Sequence, residues 1–501
     1  MDFFHSEAFS SSIKELMDEH HVPGFSIAIV HNGEVASAGY GYADVEPSKP
    51  CTADTLFDVA SSSKSLTAAA VALLIDDDEK YPEVQYEAIM SHLLPDDFVM
   101  PSAEYTESVT VEDILSHRSG MACHDDSYMG PHAAHPDDAR SVTRNLRNLP
   151  VAAPLRAKHI YCNMMYTVAA YLVEAKTQQS FSSFLEERFF RPLGMKSTSV
   201  QPIRTLAKGF ADRIATGYYW NKEKSTYKGF PPPDCPEGEG AGSIITSAND
   251  FIKWIKALLH HESPINKKVY QGLVRLRSLA NPDAEDLAPF ESPAIYAAGL
   301  EVYYYRGYTV VGHDGMISGF TSRFFFLPEL GFGAVMMGNA TGAEYVADAV
   351  RRKLFSAILK VPEEDLAKSV SWDKEGDNNN ENDGAKDEEK EDKEVQPQVT
   401  PLSAYVGKYW NPGYHTLTVQ IKDEKLFIDA TDRSFRCTIT FDHVSDQTKY
   451  TAHLYDIYEE GDEPLRAEFV FGGSRAVRLG LDYQEILNEL IWFEFMPEGK
   501  A

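Results

Sequence analysis

Three short groups of residues in this chain have the types and spacing to carry covalent chemistry. The first is Ser61-Ser62-Ser63-Lys64, where an extended run, Leu56–Val59, gives way to a helix-forming run, Leu66–Ile75. A hydroxyl and an amine three residues apart at a helix start share one face, so Ser61 and Lys64 read as a nucleophile and its base. The lysine can take the serine proton only when neutral, and burial or nearby positive charge favours that state. Free N–H groups in the first helical turn point at any developing oxyanion. The same spacing recurs at Ser11–Lys14, inside the polar helical pattern Ser10–His20, and reads there as a solvated face.

The second group is Tyr161-Cys162-Asn163, which opens the helical run Met164–Thr177. A phenol beside a Ser/Lys pair can relay a proton to a leaving group, and a neighbouring ammonium would lower its pKa. Asn163 is placed to hold the lysine or to donate to a substrate. The third group, His313-Asp314-Gly315, lies between Gly312 and the apolar run Phe324–Leu327. A strand edge there would flank the nucleophile, and its backbone would supply a second oxyanion donor.

In this order the three groups resemble those of the serine β-lactamase and penicillin-binding protein superfamily. The likeness is greater to its class C β-lactamase-like branch of esterases, peptidases and acyltransferases. Supporting segments are Val22-Pro23-Gly24-Phe25-Ser26, Gly39-Tyr40-Gly41-Tyr42-Ala43-Asp44, Leu115-Ser116-His117-Arg118-Ser119-Gly120, Phe189-Phe190-Arg191-Pro192-Leu193-Gly194-Met195 and the run Gly242–Asp250. The resemblance extends from about residue 8 to residue 360. It implies an α+β fold, with an antiparallel sheet flanked by helices and an all-helical region. It also implies an acyl-enzyme on Ser61, with Lys64 as general base and Tyr161 as its acid/base partner. Asn163 would contact the lysine and the substrate. The N–H groups of Ser61 and Met316, on either side of the cleft beside Gly315, would bind the oxyanion. His313 stands where lactamases and DD-peptidases usually carry lysine, which argues against β-lactam turnover but not against the acyl-enzyme. The implied reaction is hydrolysis of an ester or amide of a small molecule, without metal or organic cofactor. A peptidase acting on D-amino-acid or unusual peptides, and an acyltransferase, are the enzymatic alternatives. An inactive binding or scaffold homologue is the rival from another class, and the three intact motifs weigh against it. Neither a G-x-S-x-G elbow nor an H-E-x-x-H zinc motif occurs.

Positioning these groups falls to elements that the sequence also outlines. Residues 7–20 read as an amphipathic helix, and Phe25–His31 and Glu34–Tyr42 as a hairpin about Asn32-Gly33. Thr110 caps a short helix over Val111–Ser116, and residues 121–154 read as one long loop. Helices follow at Phe181–Phe190 and Asp250–His260, then strands at Tyr296–Tyr305, Tyr308–Gly312, Thr321–Leu327 and Phe332–Asn339, then a helix at Val346–Leu359. The pattern implies one sheet closed by both ends of a catalytic domain, residues 1–368, around a helical insert. An acidic stretch, residues 369–399, reads as a disordered linker, with eleven Asp/Glu and four Lys over 373–394. Short alternating strands over 400–501 suggest a small barrel or sandwich. There Tyr405-Val406-Gly407-Lys408-Tyr409 resembles the lipocalin-like domain appended to some family members. Few contacts are expected to cross the linker.

The 501 residues suffice for a large core, and the net charge of −29 argues against nucleic acid and anionic membrane as partners. Five dispersed cysteines, with no C-x-x-C, indicate neither a disulfide framework nor a zinc site. With no basic-then-apolar leader, the expected location is cytoplasmic and the expected partner a small-molecule or short-peptide substrate. His124-Asp125-Asp126 reads more readily as a solvated loop than as a pocket wall or cation site. Cys162 reads as an inert buried thiol, Tyr303-Tyr304-Tyr305 as core, and Tyr218 and Tyr219 as packing or cleft lining in equal measure.

Overall fold

The structure, a computed structural model, describes residues 1–285, 287–362, 365 and 397–497. Most of the acidic stretch read as a linker, residues 369–396, lies outside the described residues. Among those described, nine antiparallel strands form the main sheet. Its order is Lys49–Pro50, Glu34–Asp44, Gly24–His31, Phe332–Gly338, Phe320–Leu327, Tyr308–Ile317, Glu301–Tyr305, Ile295–Tyr296 and Ser278–Leu279. The N-terminal hairpin joins the late strands where Phe25 pairs with Gly338 and His31 with Phe332.

Alternation along the strands gives each face its own core. Phe325 and Met336 pack with Phe9 and Ile13 of the helix Glu7–Glu19 and with Val346 and Val350 of the helix Ala343–Leu359. Phe324, Phe326 and Val335 turn the other way, towards Phe251 and Ile255 of the helix Ala248–His260. Behind that layer runs the helix Lys64–Asp76, buried from Lys64 to Ile75. A helix apolar all round belongs in a core, and each fully buried leucine in it contributes about 1.5–3 kcal/mol. Its neighbour is the helix Asn163–Thr177, which also buries most of its length. Ser11 and Lys14 are both exposed on the first helix, as read.

Two departures from the sequence reading bear on the site. Tyr296–Tyr305 is two strands, because residues 297–300 form a turn in which Ala297 N donates to Leu300 O at 2.7 Å. Gly299 occupies the left-handed region at φ +63, and a Cβ there would meet Lys64 O at 2.4 Å. The turn therefore presses on the backbone of Lys64. The other departure is that Tyr308–Ile317 continues past Gly312 through His313 and Met316. Phe320–Leu327 pairs with it as far as Ile317, whereas Glu301–Tyr305 stops at Glu301 opposite Gly312.

The long loop expected over 121–154 contains a helix, Ala139–Asn145, opened by a capping box between Asp138 and Ser141. Its seven residues bury too few apolar side chains for a period to show. The run Phe181–Phe190 is helical throughout but passes into a π-helical turn at Glu186.

The C-terminal strands form a closed barrel of eight, from Gly407–Asn411 to Ile491–Met496, sealed by pairing of the first with the last. Three of its strands, Gly407–Asn411, Arg475–Leu481 and Ile491–Met496, were not evident in the sequence. The expectation of few contacts with the catalytic part is overturned. Gly130 N donates to Asp432 O and Ser434 N to Tyr128 O, at 2.9 and 3.1 Å. Tyr414 bonds His124 Nδ1 at 2.7 Å, and Glu459 accepts from Gly319 N and Thr341 Oγ1 at 2.9 and 2.7 Å. Among the described residues no helix is long and apolar enough to cross a membrane.

Because Gly299 leaves no room for a side chain against Lys64, Gly299→Ala should combine backbone strain with displacement of that helix start. A loss of about 1–3 kcal/mol in denaturant unfolding is expected, by analogy with overpacked cores. Unchanged stability would show that the turn is free to retreat.

Candidate active site

Each serine of the triple serine meets a different wall. The residues form a tight turn, Ala60–Ser63, ahead of the helix proper. Ala60 sits at φ +42, a strained value for a residue with a side chain. Its N–H donates to Asp58 Oδ1 at 2.7 Å, and burial pushes the Asp58 carboxyl up to about 7. Ser62 Oγ bonds Ser322 Oγ at 2.8 Å, while Ser322 donates to Val59 O at 2.7 Å. Ser63 Oγ accepts from Ile244 N at 3.2 Å. Ser61 alone of the three is partly exposed, into a pocket of about 300 Å³ that Tyr161, His313, Gly315 and Met316 also line.

Lys64 is fully buried, with Nζ 2.7 Å from Ser61 Oγ and 2.9 Å from Ala241 O. Burial drives its pKa down to about 7, against a smaller upward pull from Asp125. Its amine lies 4.8 Å from the centre of the Tyr161 ring. The Tyr161 hydroxyl interacts with Ser61, which lowers its pKa, but burial outweighs this and holds the phenol above its ordinary value. The depressed tyrosine pKa anticipated from the sequence is not found, because burial is the largest effect and raises it. His117 fixes the backbone on both sides of Tyr161: its carbonyl accepts from Ile160 N at 2.9 Å and its Nδ1 from Cys162 N at 3.1 Å. The His117 and Tyr161 rings lie 4.3 Å apart.

Asn163 is near but differently employed. Its amide donates to Asp125 Oδ2 at 2.8 Å, and Cys123 Sγ donates to the same oxygen at 2.8 Å. The His124-Asp125-Asp126 run is therefore no solvated loop. Burial raises the Asp125 and Asp126 carboxyls, and His124 is fully enclosed by Tyr414 and the Pro150 carbonyl.

His313 Nδ1 lies 2.5 Å from Asp314 O, which can only accept, so Nδ1 carries the proton. Nε2 then accepts from the Tyr296 hydroxyl at 2.8 Å. Burial, and secondarily Lys64, push this imidazole down to about 4. It is neutral at pH 7 and bonded to Tyr296, not to Tyr161. Gly315 lies flush against the Ala60–Ser63 turn: a Cβ there would meet Val59 O at 2.2 Å and Ser61 N at 2.9 Å. Met316, the next residue, is 56% exposed at the pocket mouth.

The sequence reading missed Ala241, Asp125 and Tyr296 as parts of this cluster. Only the Gly240-Ala241-Gly242 run carried a local signal, a backbone able to pass close to the helix start. Tyr218 packs away from the pocket and bonds Val45 N at 2.8 Å. Cys162 is buried, its thiol pushed up to about 12, in line with an inert role. Of the three adjacent tyrosines, Tyr304 is 43% exposed and does not belong to the core.

A family model described as Beta-lactamase matches residues 9–357, and one described as Domain of unknown function (DUF3471) matches 391–495. The chain is 33% identical over 446 residues to an unguisins hydrolase of Aspergillus campestris, covering 87% of this chain and 82% of that protein. It is 28% identical over 376 residues to a D-aminopeptidase of Brucella anthropi, covering 72% of this chain and 64% of that protein. The octameric penicillin-binding protein homologue from Pyrococcus abyssi superposes with a TM-score of 0.60 at 19% identity, over 97% of this chain and 99% of that one. This chain belongs to the β-lactamase family, within the serine β-lactamase and penicillin-binding protein superfamily. It is a serine hydrolase of the acyl-enzyme class.

A base held at about 7 is mostly protonated below that pH and mostly free above it. The rate of covalent labelling by a fluorophosphonate should therefore rise with pH and reach half its plateau near pH 7. A rate still climbing steeply at pH 9 would mean that the amine keeps its ordinary basicity.

Proposed function

We propose that this enzyme cleaves an amide bond of a small peptide or aminoacyl compound through an acyl-enzyme on Ser61. In this reading Ser61 Oγ attacks the carbonyl carbon while neutral Lys64 takes its proton. The tetrahedral oxyanion rests on the N–H groups of Ser61 and Met316. The C–N bond then breaks, and the leaving amine receives the proton through Lys64 and Tyr161. Water then attacks the acyl carbon and gives a proton to the same pair, the C–Oγ bond breaks, the proton returns to Ser61 Oγ, and the acid leaves. The observation that carries this is the 2.7 Å contact between Ser61 Oγ and a lysine whose burial holds it at about 7.

Amides are favoured over simple esters by the named activities of relatives, a D-aminopeptidase among them. The neutral His313, with both ring nitrogens occupied, supplies no ammonium for the carboxylate that penicillins and cephalosporins carry. That loss disfavours β-lactams as substrates. Asn163, held by Asp125, would present its remaining amide valence to the substrate rather than to Lys64.

Intact-mass measurement after fluorophosphonate treatment tests the nucleophile. Wild type and Ser11→Ala should each take up one label, Ser61→Ala none, with amidase activity following the same pattern. Stoichiometric labelling of Ser61→Ala would refute the assignment.

A further inference from the structure

Glu301 opens the strand that stops pairing opposite Gly312, so beyond it the edge of Tyr308–Ile317 that carries His313 is left without a partner on that side, while its other edge stays paired with Phe320–Leu327. It lines the pocket shared by Ser61 and Tyr161, and also the adjoining one of about 270 Å³. Its charge is near enough to influence the Tyr161 hydroxyl. Yet among the described residues this carboxyl accepts no hydrogen bond and has no ion-pair partner.

The cation whose charge acts on Glu301 is already engaged. Arg323 donates to both Asp314 oxygens, at 2.9 and 2.6 Å, and to Asp348 Oδ1 at 2.6 Å. The same pocket carries two more carboxyls, Asp314 and Glu344. Burial, reinforced by Asp314 and opposed by Arg323, pushes Glu301 up to about 7. Glu301 is partly buried, with its carboxyl open to the pocket, and a partly desolvated carboxyl without a partner gains from an arriving cation. Lys64 does not supply it, because its amine points to Ser61 and Ala241.

We propose that Glu301 is the recognition residue for a substrate ammonium: it binds the free α-amine of an aminoacyl substrate whose carbonyl is presented to Ser61. This rests on the acyl-enzyme reading and narrows its substrate class to amides with an unblocked amine. A single carboxylate facing a compact cation suits an ammonium, whose three donors can be shared between Glu301 and the pocket carboxyls.

The test compares two amides of the same shape, D-phenylalaninamide and 2-methyl-3-phenylpropanamide, in which a methyl replaces the ammonium. Each is measured at pH 7 for the concentration that halves the rate of fluorophosphonate labelling of Ser61. D-Phenylalaninamide should protect wild type at about ten-fold or more lower concentration, the size of one charge-assisted contact. Glu301→Gln should bring the two amides to within about two-fold of each other, whereas Glu344→Gln should keep most of the preference. Equal protection by both amides in wild type would overturn the proposal, as would a preference that survives in Glu301→Gln or vanishes only in Glu344→Gln. Should Ser61 fail to label at all, the acyl-enzyme reading itself falls. Circular dichroism of Glu301→Gln, together with its own labelling rate without competitor, shows that the variant is folded.

Discussion

The structure turns on one amine taken out of water. Lys64 is enclosed at the start of a helix buried along its length, with a serine hydroxyl and a carbonyl as its polar contacts. Lowering a lysine from its ordinary 10.5 to about 7 favours the neutral form by on the order of 5 kcal/mol. The sign of the linkage is that of a base depressed by folding. Its cost to stability is complete below pH 7, shrinks as pH rises, and is gone above 10.5. Burial of the surrounding side chains must offset that cost, which ties the free amine beside Ser61 to the integrity of the core.

Several elements converge on this point for reasons of space and hydrogen bonding. Gly299 lets the turn 297–300 close over the Lys64 backbone, and Gly315 lets the strand Tyr308–Ile317 lie against Val59 and Ser61. Asp58 holds the strained Ala60, and Ser62 and Ser63 lock the turn to its neighbours. The C-terminal barrel belongs to the same architecture. Its Tyr414 seals His124, next to Asp125, and its Glu459 grips Gly319, three residues after Met316. The barrel thus braces both the loop behind Lys64 and the turn after the strand that lines the pocket.

Much of this was legible in the chain. Ser61, Lys64, Tyr161 and His313 lie in motifs with recognisable order, and the apolar run Phe324–Leu327 falls in the strand read over Thr321–Leu327, which the structure buries on both faces. What escaped notice depends on distant partners. The burial of His124 and Asp125 is imposed by a barrel hundreds of residues later, and no local pattern encodes it. Tyr296 meets His313 only because a four-residue turn folds one strand beside another. The effect on Tyr161 went the other way from expectation, because a motif shows its charged neighbour but not the depth at which both are buried.

In the resting enzyme Lys64 exchanges its proton near neutral pH, so that about half of it is free base at pH 7, and this can be read without any substrate. Protein labelled with ¹³C at lysine Cε, with Lys64 assigned by the loss of one signal in Lys64→Arg, can be titrated by NMR from pH 5 to 11. The account predicts one lysine signal, that of Lys64, moving with a midpoint near 7 while surface lysines titrate about three units higher. A Lys64 signal that stays put until pH 10 would contradict it.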